Sequence, residues 1–258
     1  MKLYFKYMKT NLKSEMQYKT SFIMSILSQV FIFFGYYFTI ICLFDKFSNV
    51  KGFTLYEVLF TFSVVQFGYS FCEVFFRGVD LFDELIIRGE FDKILIRPRS
   101  ILLQVFSEKM QFSRLSKVLE AIIILIISII KMNVVWNFNK LLVVIFVLFS
   151  SVILFLSIFL VAASYCFITI KGLEVRNLVT DGGKQMAQYP IGIFKKGFIV
   201  FFTFIIPFGL INYYPLLYIL DKNSSILYMF SPLFTIIYFI LSMLIFYKGV
   251  KRYTSVGC

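Results

Sequence analysis

Long apolar runs alternate with short charged segments along the whole chain. Several runs exceed the roughly 18 residues that mark a membrane-spanning helix. They do not alternate apolar and polar positions, as the strands of a membrane β-barrel do. The pattern therefore predicts an all-α membrane protein with one transmembrane domain over residues 1–258. The six predicted transmembrane helices cover residues 21–44, 57–76, 118–136, 141–170, 198–214 and 232–249.

Residues 1–20 carry a pattern of their own, in which apolar side chains recur at helical spacing and most lysines lie elsewhere on the helix. That distribution predicts an N-terminal helix lying in the membrane interface. The alternative is that the lysines only form a positively charged flank of the first span. The apolar stripe comprises Tyr4, Phe5, Met8, Leu12 and Met16.

Prolines interrupt the apolar pattern near the C-terminus. Pro207 lies inside the fifth run, where the missing backbone donor predicts a kink. Pro215 and Pro232 bound a segment that is too broken for a straight span. We expect short re-entrant helices there, between spans five and six on the outer side, where protein or water must cover the irregular backbone. Residues 171–197 are rich in charge and glycine, and we expect a polar cytoplasmic loop.

The distribution of Lys and Arg predicts the orientation, because cytoplasmic loops carry the excess of these residues. With the predicted spans, 21 of the 26 Lys and Arg residues lie in the two termini and in segments 77–117 and 171–197. These regions share one side of the membrane. The sequence therefore predicts a multi-pass protein of the plasma or inner membrane, with both termini in the cytoplasm.

The amino-acid composition argues against several classes of protein. Hydrophobic residues make up 60% of the chain and charged residues 16%, against about 25% charged in a soluble domain. The net charge of +12 is spread between the apolar runs, which favours contact with anionic membrane lipids and argues against nucleic acid. The chain has no histidine, and its four cysteines form no CxxC motif. We therefore expect neither a metal site nor an enzyme active site.

Three polar residues fall within predicted spans. Glu73 stands four residues before Arg77, and Glu120 three residues after Lys117, which are spacings at which helical side chains meet. Both carboxylates lie near the cytoplasmic ends of their spans, which favours structural ion pairs or interfacial anchors over a proton relay. Gln66 lies deeper, and we expect it to hydrogen-bond to another helix.

Segment 77–117 is too charged to enter hydrocarbon and joins spans two and three directly. Gly89 is predicted to end a short helix there. The Arg97-Pro98 pair imposes extended backbone before the next helical stretch. We therefore expect a compact cytoplasmic elbow through which a partner could move both spans. The alternative is a surface loop resting on lipid, because the apolar side of an amphipathic segment can pack on either lipid or protein.

The sequence contains no nucleotide-binding P-loop. The nearest match is Gly182-Gly183-Lys184-Gln185, which contains the glycine and lysine of the motif but lacks its spacing and the hydroxyl residue after its lysine. If the protein is driven by ATP, we therefore expect the ATPase to be a separate polypeptide.

Five short motifs follow one another along the chain: Gly89-Glu90-Phe91-Asp92-Lys93-Ile94-Leu95-Ile96-Arg97-Pro98, Tyr189-Pro190, Ile206-Pro207-Phe208, Tyr213-Tyr214-Pro215 and Tyr253-Thr254-Ser255-Val256-Gly257. The first resembles the signature Gly-Glu-Phe/Leu-Asp-x-x-Leu-x-Arg-Pro that one branch of the ABC type-2 (ABC-2) transporter permeases carries after span two. The last is similar to the closing Tyr-x-Ser-x-Gly of that family. Together the motifs extend over most of the chain.

The resemblance implies a six-span half-permease that dimerises with a second copy or a sister permease. It implies two cytoplasmic ATPase partners that hold ATP and Mg, with no cofactor in this chain. ATP-driven motion would reach the spans through the elbow and move a substrate outward. The resemblance places coupling to the ATPase at Asp83, Glu84, Arg88, Gly89, Glu90, Asp92, Arg97 and Pro98.

Two other readings of the sequence remain open. An ion-coupled secondary transporter would show carboxylates at mid-membrane and an internal repeat, whereas the carboxylates here lie near the predicted inner edge. A membrane enzyme or scaffold is the other class, and an enzyme would need an acid, base or metal constellation.

Overall fold

The computed structural model describes residues 2–47, 49–169, 177–223 and 225–254, and every regular element within these ranges is helical. Lys171, Arg176 and Ser255 to Gly257, which the sequence analysis used, lie outside the described residues. The helices, in chain order, are α1 (Lys2–Gln17), α2 (Lys19–Lys46), α3 (Leu55–Phe75), α4 (Arg77–Asp80), α5 (Phe82–Ile87), α6 (Glu90–Leu95), α7 (Ile101–Glu108), α8 (Leu115–Lys131), α9 (Phe138–Tyr165), α10 (Gly183–Ala187), α11 (Lys196–Phe204), α12 (Gly209–Asn212), α13 (Tyr214–Ile219), α14 (Ile226–Phe230) and α15 (Thr235–Arg252).

The predicted all-α membrane class is confirmed. Within the described ranges, α2, α3, α9 and the continuous stretch Ile226–Arg252 are long and apolar enough to cross a membrane. A bent pair of helices, Lys196–Phe204 and Gly209–Ile219, would make a fifth crossing if counted as one span. Helix α8, in the place of the predicted third span, has 17 residues, or about 26 Å, which is short of a core of about 30 Å.

Helix α3 is the centre of the bundle. It begins where the backbone N–H of Thr54 donates to the Glu57 carboxylate at 3.1 Å, which satisfies one of the free donors of a helix start. Most of α3 is buried against α8 and α9. Gly68 permits the close approach of α9, since a Cβ there would lie 2.6 Å from Ser151 Oγ.

Helix α2 contrasts with α3, because Phe33 and Ile40 are its only described residues that are buried. About half of its remaining apolar side chains, including Phe31 and Phe38, are exposed, and the others are half-buried. In a bilayer such a face contacts lipid or another subunit at no hydrophobic cost.

The bundle has two ends, which we call the elbow end and the far end. The elbow end carries α4 to α7. The far end is defined by Phe53, Trp136 and Asp221, where the ammonium of Lys140 lies 2.6 Å from the carboxylate of Asp221. Trp136 and Phe53 pack there in one apolar cluster with the buried Leu216.

The described part of the predicted cytoplasmic loop 171–197 lies elsewhere than expected. The Tyr69 hydroxyl donates to Asp181 at 2.7 Å, and the Thr61 hydroxyl donates to the Gln188 carbonyl at 3.0 Å. Tyr69 and Thr61 are about 12 Å apart along α3, so the segment runs beside α3 toward the far end, where Tyr189 joins the apolar cluster. The segment is thus not a loop that faces only water: Lys184 and Gln188 are buried against neighbouring helices, whereas Asp181 and Gln185 stay exposed.

The fifth predicted span, 198–214, is broken rather than gently kinked. Helices α11 and α12–α13 meet at an angle of 98° across residues 205–208, which include Pro207. The hydroxyls of Thr203 and Tyr214 lie 3.1 Å apart across the break. The two arms therefore form a bent pair with a near-right-angle break, and proline accounts for the stop because it supplies no backbone donor.

The predicted N-terminal helix is present as α1, and it rests on the elbow end. The Tyr4 hydroxyl donates to the Phe75 carbonyl at 3.0 Å, and the Asn11 amide donates to the Ser107 carbonyl at 3.2 Å. The backbone N–H of Phe112 donates to the Glu15 carboxylate at 3.0 Å. Burial raises the pKa of Glu15, while this bond and one from Ser113 act to lower the pKa.

Close backbone contact joins the first elbow helix, α4, to α7. The Gly78 N–H donates to the Lys109 carbonyl at 3.0 Å. A Cβ on Gly78 would lie 2.1 Å from the carbonyl oxygen of Val105, which is backbone and cannot rotate away. Glycine is therefore required for α4 and α7 to lie this close.

Replacing Gly78 by Ala should destabilise the protein by about 1–3 kcal/mol, because the new methyl group overpacks this contact. The unfolding midpoint of the detergent-solubilised chain should fall by roughly 2–4 °C per kcal/mol. Gly35→Ala is the matched control, since Gly35 is helical and nothing lies within 4 Å of a Cβ there. Equal midpoints for the two variants would contradict the described contact.

Candidate functional site

The elbow, residues 77–117, is a folded unit with its own apolar interior. Four short helices, α4 to α7, surround the buried side chains of Phe82, Phe91, Ile94, Leu102 and Val105. Gly89 joins α5 to α6 with φ +65, a left-handed conformation that favours glycine. The predicted helix stop at Gly89 is therefore confirmed, and the described elbow is compact.

Aromatic contacts attach the elbow to the C-terminal helix. The ring centroids of Phe91 and Tyr253 lie 5.0 Å apart, and those of Phe82 and Phe246 lie 5.4 Å apart. Edge-to-face pairs of this kind add about 0.5–1.5 kcal/mol each beyond their burial. Phe91 and Tyr253 come from motifs at distant points of the sequence, and the fold brings them into contact. A displacement of the elbow must therefore move α15 as well as α3.

The tip of the elbow exposes apolar side chains among positive charges. Ile96 is 83% exposed, and Ile87 and Leu95 are also exposed. Isolated exposed apolar residues are ordinary, but these three lie on or beside the neighbouring helices α5 and α6 and make this part of the elbow a candidate contact surface. The neighbouring exposed cations are Arg88, Lys93, Arg97 and Arg99. We call these seven side chains the elbow tip.

The residues to which the resemblance assigned coupling fall into two groups. Arg88, Arg97 and Pro98 are exposed at or beside the elbow tip, and Asp92 is half-buried. Asp83 is 1% exposed and therefore lies inside the elbow rather than on its surface. Asp83 is not available to a docking partner in this arrangement.

Glu84 and Glu90 border a cleft on the side of the elbow, together with Glu108. The Glu84 carboxylate lies 3.3 Å from the Lys109 ammonium and 3.7 Å from the Arg88 guanidinium. Burial, followed by the charge of Glu90, raises the pKa of Glu108, whereas Arg97 and Lys93 act to lower the pKa.

A buried ion network lies where α3 meets the elbow. Arg77 Nη1 lies 2.8 Å from Glu73 Oε1 and 2.5 Å from Asp80 Oδ2. Arg114, at the start of α8, pairs with the same Glu73 oxygen. The predicted Glu73–Arg77 pair is thus confirmed as part of a larger network. Buried charges are tolerated when each has such partners.

The network forms one wall of a cavity of about 250 Å³ between α2, α3, α8 and α10. The ammonium of Lys184 lies 4.1 Å from the ring centroid of Tyr69 and 5.6 Å from that of Tyr36. The complete lining is Gln29, Ile32, Tyr36, Tyr69, Glu73, Arg77, Asp80, Arg114, Lys117, Asn177, Asp181 and Lys184. A buried cluster of charged side chains beside membrane-spanning helices is a candidate functional site.

The sequence alone predicts only some of the residues that line this cavity. It identified Glu73, but not Lys184 or Asp181, because their polar segment resembled a water-exposed loop. Of the other predicted intramembrane residues, Gln66 is buried in α3. Both carboxylate oxygens of Glu120 are buried and have no hydrogen-bond partner among the described residues. Of the two expected roles, the ion pair with Lys117 is therefore not formed among the described residues, and the role of an interfacial anchor stays a prediction.

The neighbouring helices hold the Lys184 segment in place. The Asn212 amide donates to the Ala187 carbonyl at 2.7 Å, which satisfies an acceptor at the end of α10. Gly183 lies against the ring of Phe208, where a Cβ would approach to 3.1 Å. Gly183 thus lets the segment that carries Lys184 lie close to Phe208, at the break between α11 and α12.

A comparison with protein families gives one match. The family described as ABC-2 family transporter protein matches residues 30–257, which include the elbow and all of the cavity lining except Gln29. No curated protein and no solved structure matches the chain significantly.

Replacing Glu73 by Gln should destabilise the protein by about 3–5 kcal/mol, because Arg114 loses the carboxylate with which it pairs and Arg77 keeps only Asp80. Glu84→Gln is the control. Its carboxylate also contacts two cations, but its side chain is 37% exposed, so the loss should stay below about 1 kcal/mol. Thermal unfolding in detergent measures both. A Glu73→Gln variant as stable as Glu84→Gln would show that the network contributes nothing.

Proposed function

The chain belongs to the family of ABC-2 transporter proteins, and on that premise we propose that it is the permease subunit of an ATP-driven exporter. It is a multi-pass membrane protein. In this proposal its elbow faces the cytoplasm, both termini lie on the same side, and two separate ATPase subunits supply the energy. ATP and Mg belong to those subunits, which agrees with the lack of a P-loop in this sequence.

The elbow is the observation that carries this proposal. Its tip exposes Ile96 with other apolar side chains, while its interior is continuous with the core formed by α3, α9 and α15. A surface of this kind suits a protein partner, because interfaces combine an apolar centre with a polar rim. Force applied at the tip reaches the spanning helices through buried contacts rather than through a loose loop.

The proposal includes a second permease subunit, either another copy or a sister chain. The exposed apolar residues of α2 leave a face on which another subunit or lipid can lie. Substrate would leave from the cytoplasm or the inner leaflet toward the outside. The family membership supports this reading over an ion-coupled secondary transporter.

Replacing Ile96 by Asp should reduce retention of the ATPase subunits by about tenfold or more, because a charge replaces an exposed apolar anchor at the centre of the contact. The test is to tag the chain, express it with its neighbouring genes, solubilise gently and quantify co-purified ATPase. Val135→Asp is the control, since Val135 is 76% exposed and follows α8 outside the elbow. Two results would contradict the proposal: wild type without any ATPase, or Ile96→Asp retaining as much as Val135→Asp.

A further inference from the structure

The charged cavity is lined by four cationic and three anionic side chains. Its cations are Arg77, Arg114, Lys117 and Lys184, and its anions are Glu73, Asp80 and Asp181. The two arginines are paired with Glu73 and Asp80. Asp181 accepts the hydroxyl of Tyr69. The carboxylates of the cavity are therefore engaged by groups other than the two lysines.

Lys117 and Lys184 are 7% and 5% exposed. Neither ammonium forms an ion pair or hydrogen bond with any residue that the structure describes. Each can donate three hydrogen bonds. The contact of Lys184 with two tyrosine rings compensates its charge in part, but a ring face accepts no conventional hydrogen bond. A buried ammonium without such a partner is costly, and the described residues supply neither lysine with one at contact distance.

Two further polar atoms of the cavity lack a hydrogen-bond partner among the described residues. Arg77 Nε is buried without an acceptor, and Glu73 Oε2 is buried without a donor. A single water can serve the Glu73 oxygen. The lysines and Arg77 Nε together still present donors from three separate elements, α4, α8 and α10. A group with several acceptor oxygens and a negative charge fits such a donor set.

We propose that this cavity binds an anionic oxygen-rich group, of the phosphate type, carried by the transported molecule. The inference rests on the proposed permease function and assigns the chemical class of its substrate. At about 250 Å³ the cavity suits a head group rather than a whole drug-sized ligand, whose pockets measure about 300–1,000 Å³. Lys117 and Lys184 hold the anion, and the Glu73 network keeps the two arginines in position beside it.

One wall of the cavity favours access from the side. Gln29, Ile32 and Tyr36 belong to α2, whose apolar face is exposed. A molecule with a phosphate head and an apolar tail could keep the tail along α2 while its head enters the cavity. A soluble phosphate compound offers the same group without a tail. The two sources share the chemistry of the site and differ in the need for an apolar part.

The test measures binding of two probes to the purified full-length chain in a neutral maltoside detergent. One probe is inorganic phosphate, and the other is phosphatidylglycerol added to the micelles. Lys184→Gln and Lys117→Gln should each raise the dissociation constant by roughly tenfold or more, because one charged hydrogen-bond partner is lost. Each variant removes a buried charge that forms no ion pair with the described residues, so the protein should still fold. Size-exclusion profiles of the variants check this. The second variant lies on another helix and keeps the test decisive if the first misfolds.

Lys140→Gln is the matched control. Lys140 is 5% exposed, like Lys184, but its charge is already paired with Asp221, so both dissociation constants should stay unchanged. Binding of both probes supports recognition of the anionic group alone, and binding of the lipid probe alone supports recognition of a headgroup with its tail. The inference is overturned if neither probe binds, or if Lys184→Gln and Lys117→Gln bind as tightly as Lys140→Gln.

Retention of ATPase subunits by the same variants separates this inference from the proposed function. Lys117 and Lys184 lie away from the elbow tip, so both variants should retain the ATPase as wild type does. Retained ATPase without anion binding would reject the anion site and leave the permease function standing. Loss of ATPase from the wild type would reject the permease function itself.

Discussion

The carboxylate of Glu73 connects the three elements on which the site depends. It belongs to the last turn of α3, and it pairs with Arg77 of α4 and with Arg114 before α8. Glu73 is 1% exposed, so these contacts are formed in a medium of low polarity, where an unpaired partner is costly. The same carboxylate fixes the elbow on its helices and forms a wall of the cavity.

This arrangement links the two proposed activities physically. The elbow contacts the remainder of the bundle through the ion network on one side and through the aromatic pairs Phe91–Tyr253 and Phe82–Phe246 on the other. Gly78 brings the backbone of α4 against α7. A partner bound at the elbow tip therefore acts on a unit that has no loose joint between the tip and α3. The cavity lies at the other end of that connection, so a change in elbow position would change the cavity.

Sequence reasoning predicted the features that depend on local geometry. The Glu73–Arg77 pair follows from the four-residue spacing of a helix, and the stop at Gly89 follows from the left-handed conformation that glycine favours. The all-α membrane class follows from the length of the apolar runs. Each of these depends on residues that are close in the chain.

The features that sequence reasoning missed depend on which elements lie together. Arg114 reaches Glu73 across 41 residues of sequence, and no spacing rule predicts that pair. Lys184 lies in a polar segment that was expected to face water, whereas Thr61, Tyr69 and Asn212 cover it with hydrogen bonds. The one local signal was Gly183, directly before Lys184, which permits close contact with the ring of Phe208. Charge alone could not show whether helices or water would cover that segment.

The central claim is that the elbow moves with α3 as one rigid body. Spin labels at Lys93 on the elbow tip and Tyr56 in the first turn of α3 test this claim in an otherwise cysteine-free chain assembled with its ATPase subunits. The distance between the labels should be the same without nucleotide and with ATP bound, while distances between subunits change. A shift of several Å between the two labels on addition of ATP would contradict the rigid connection.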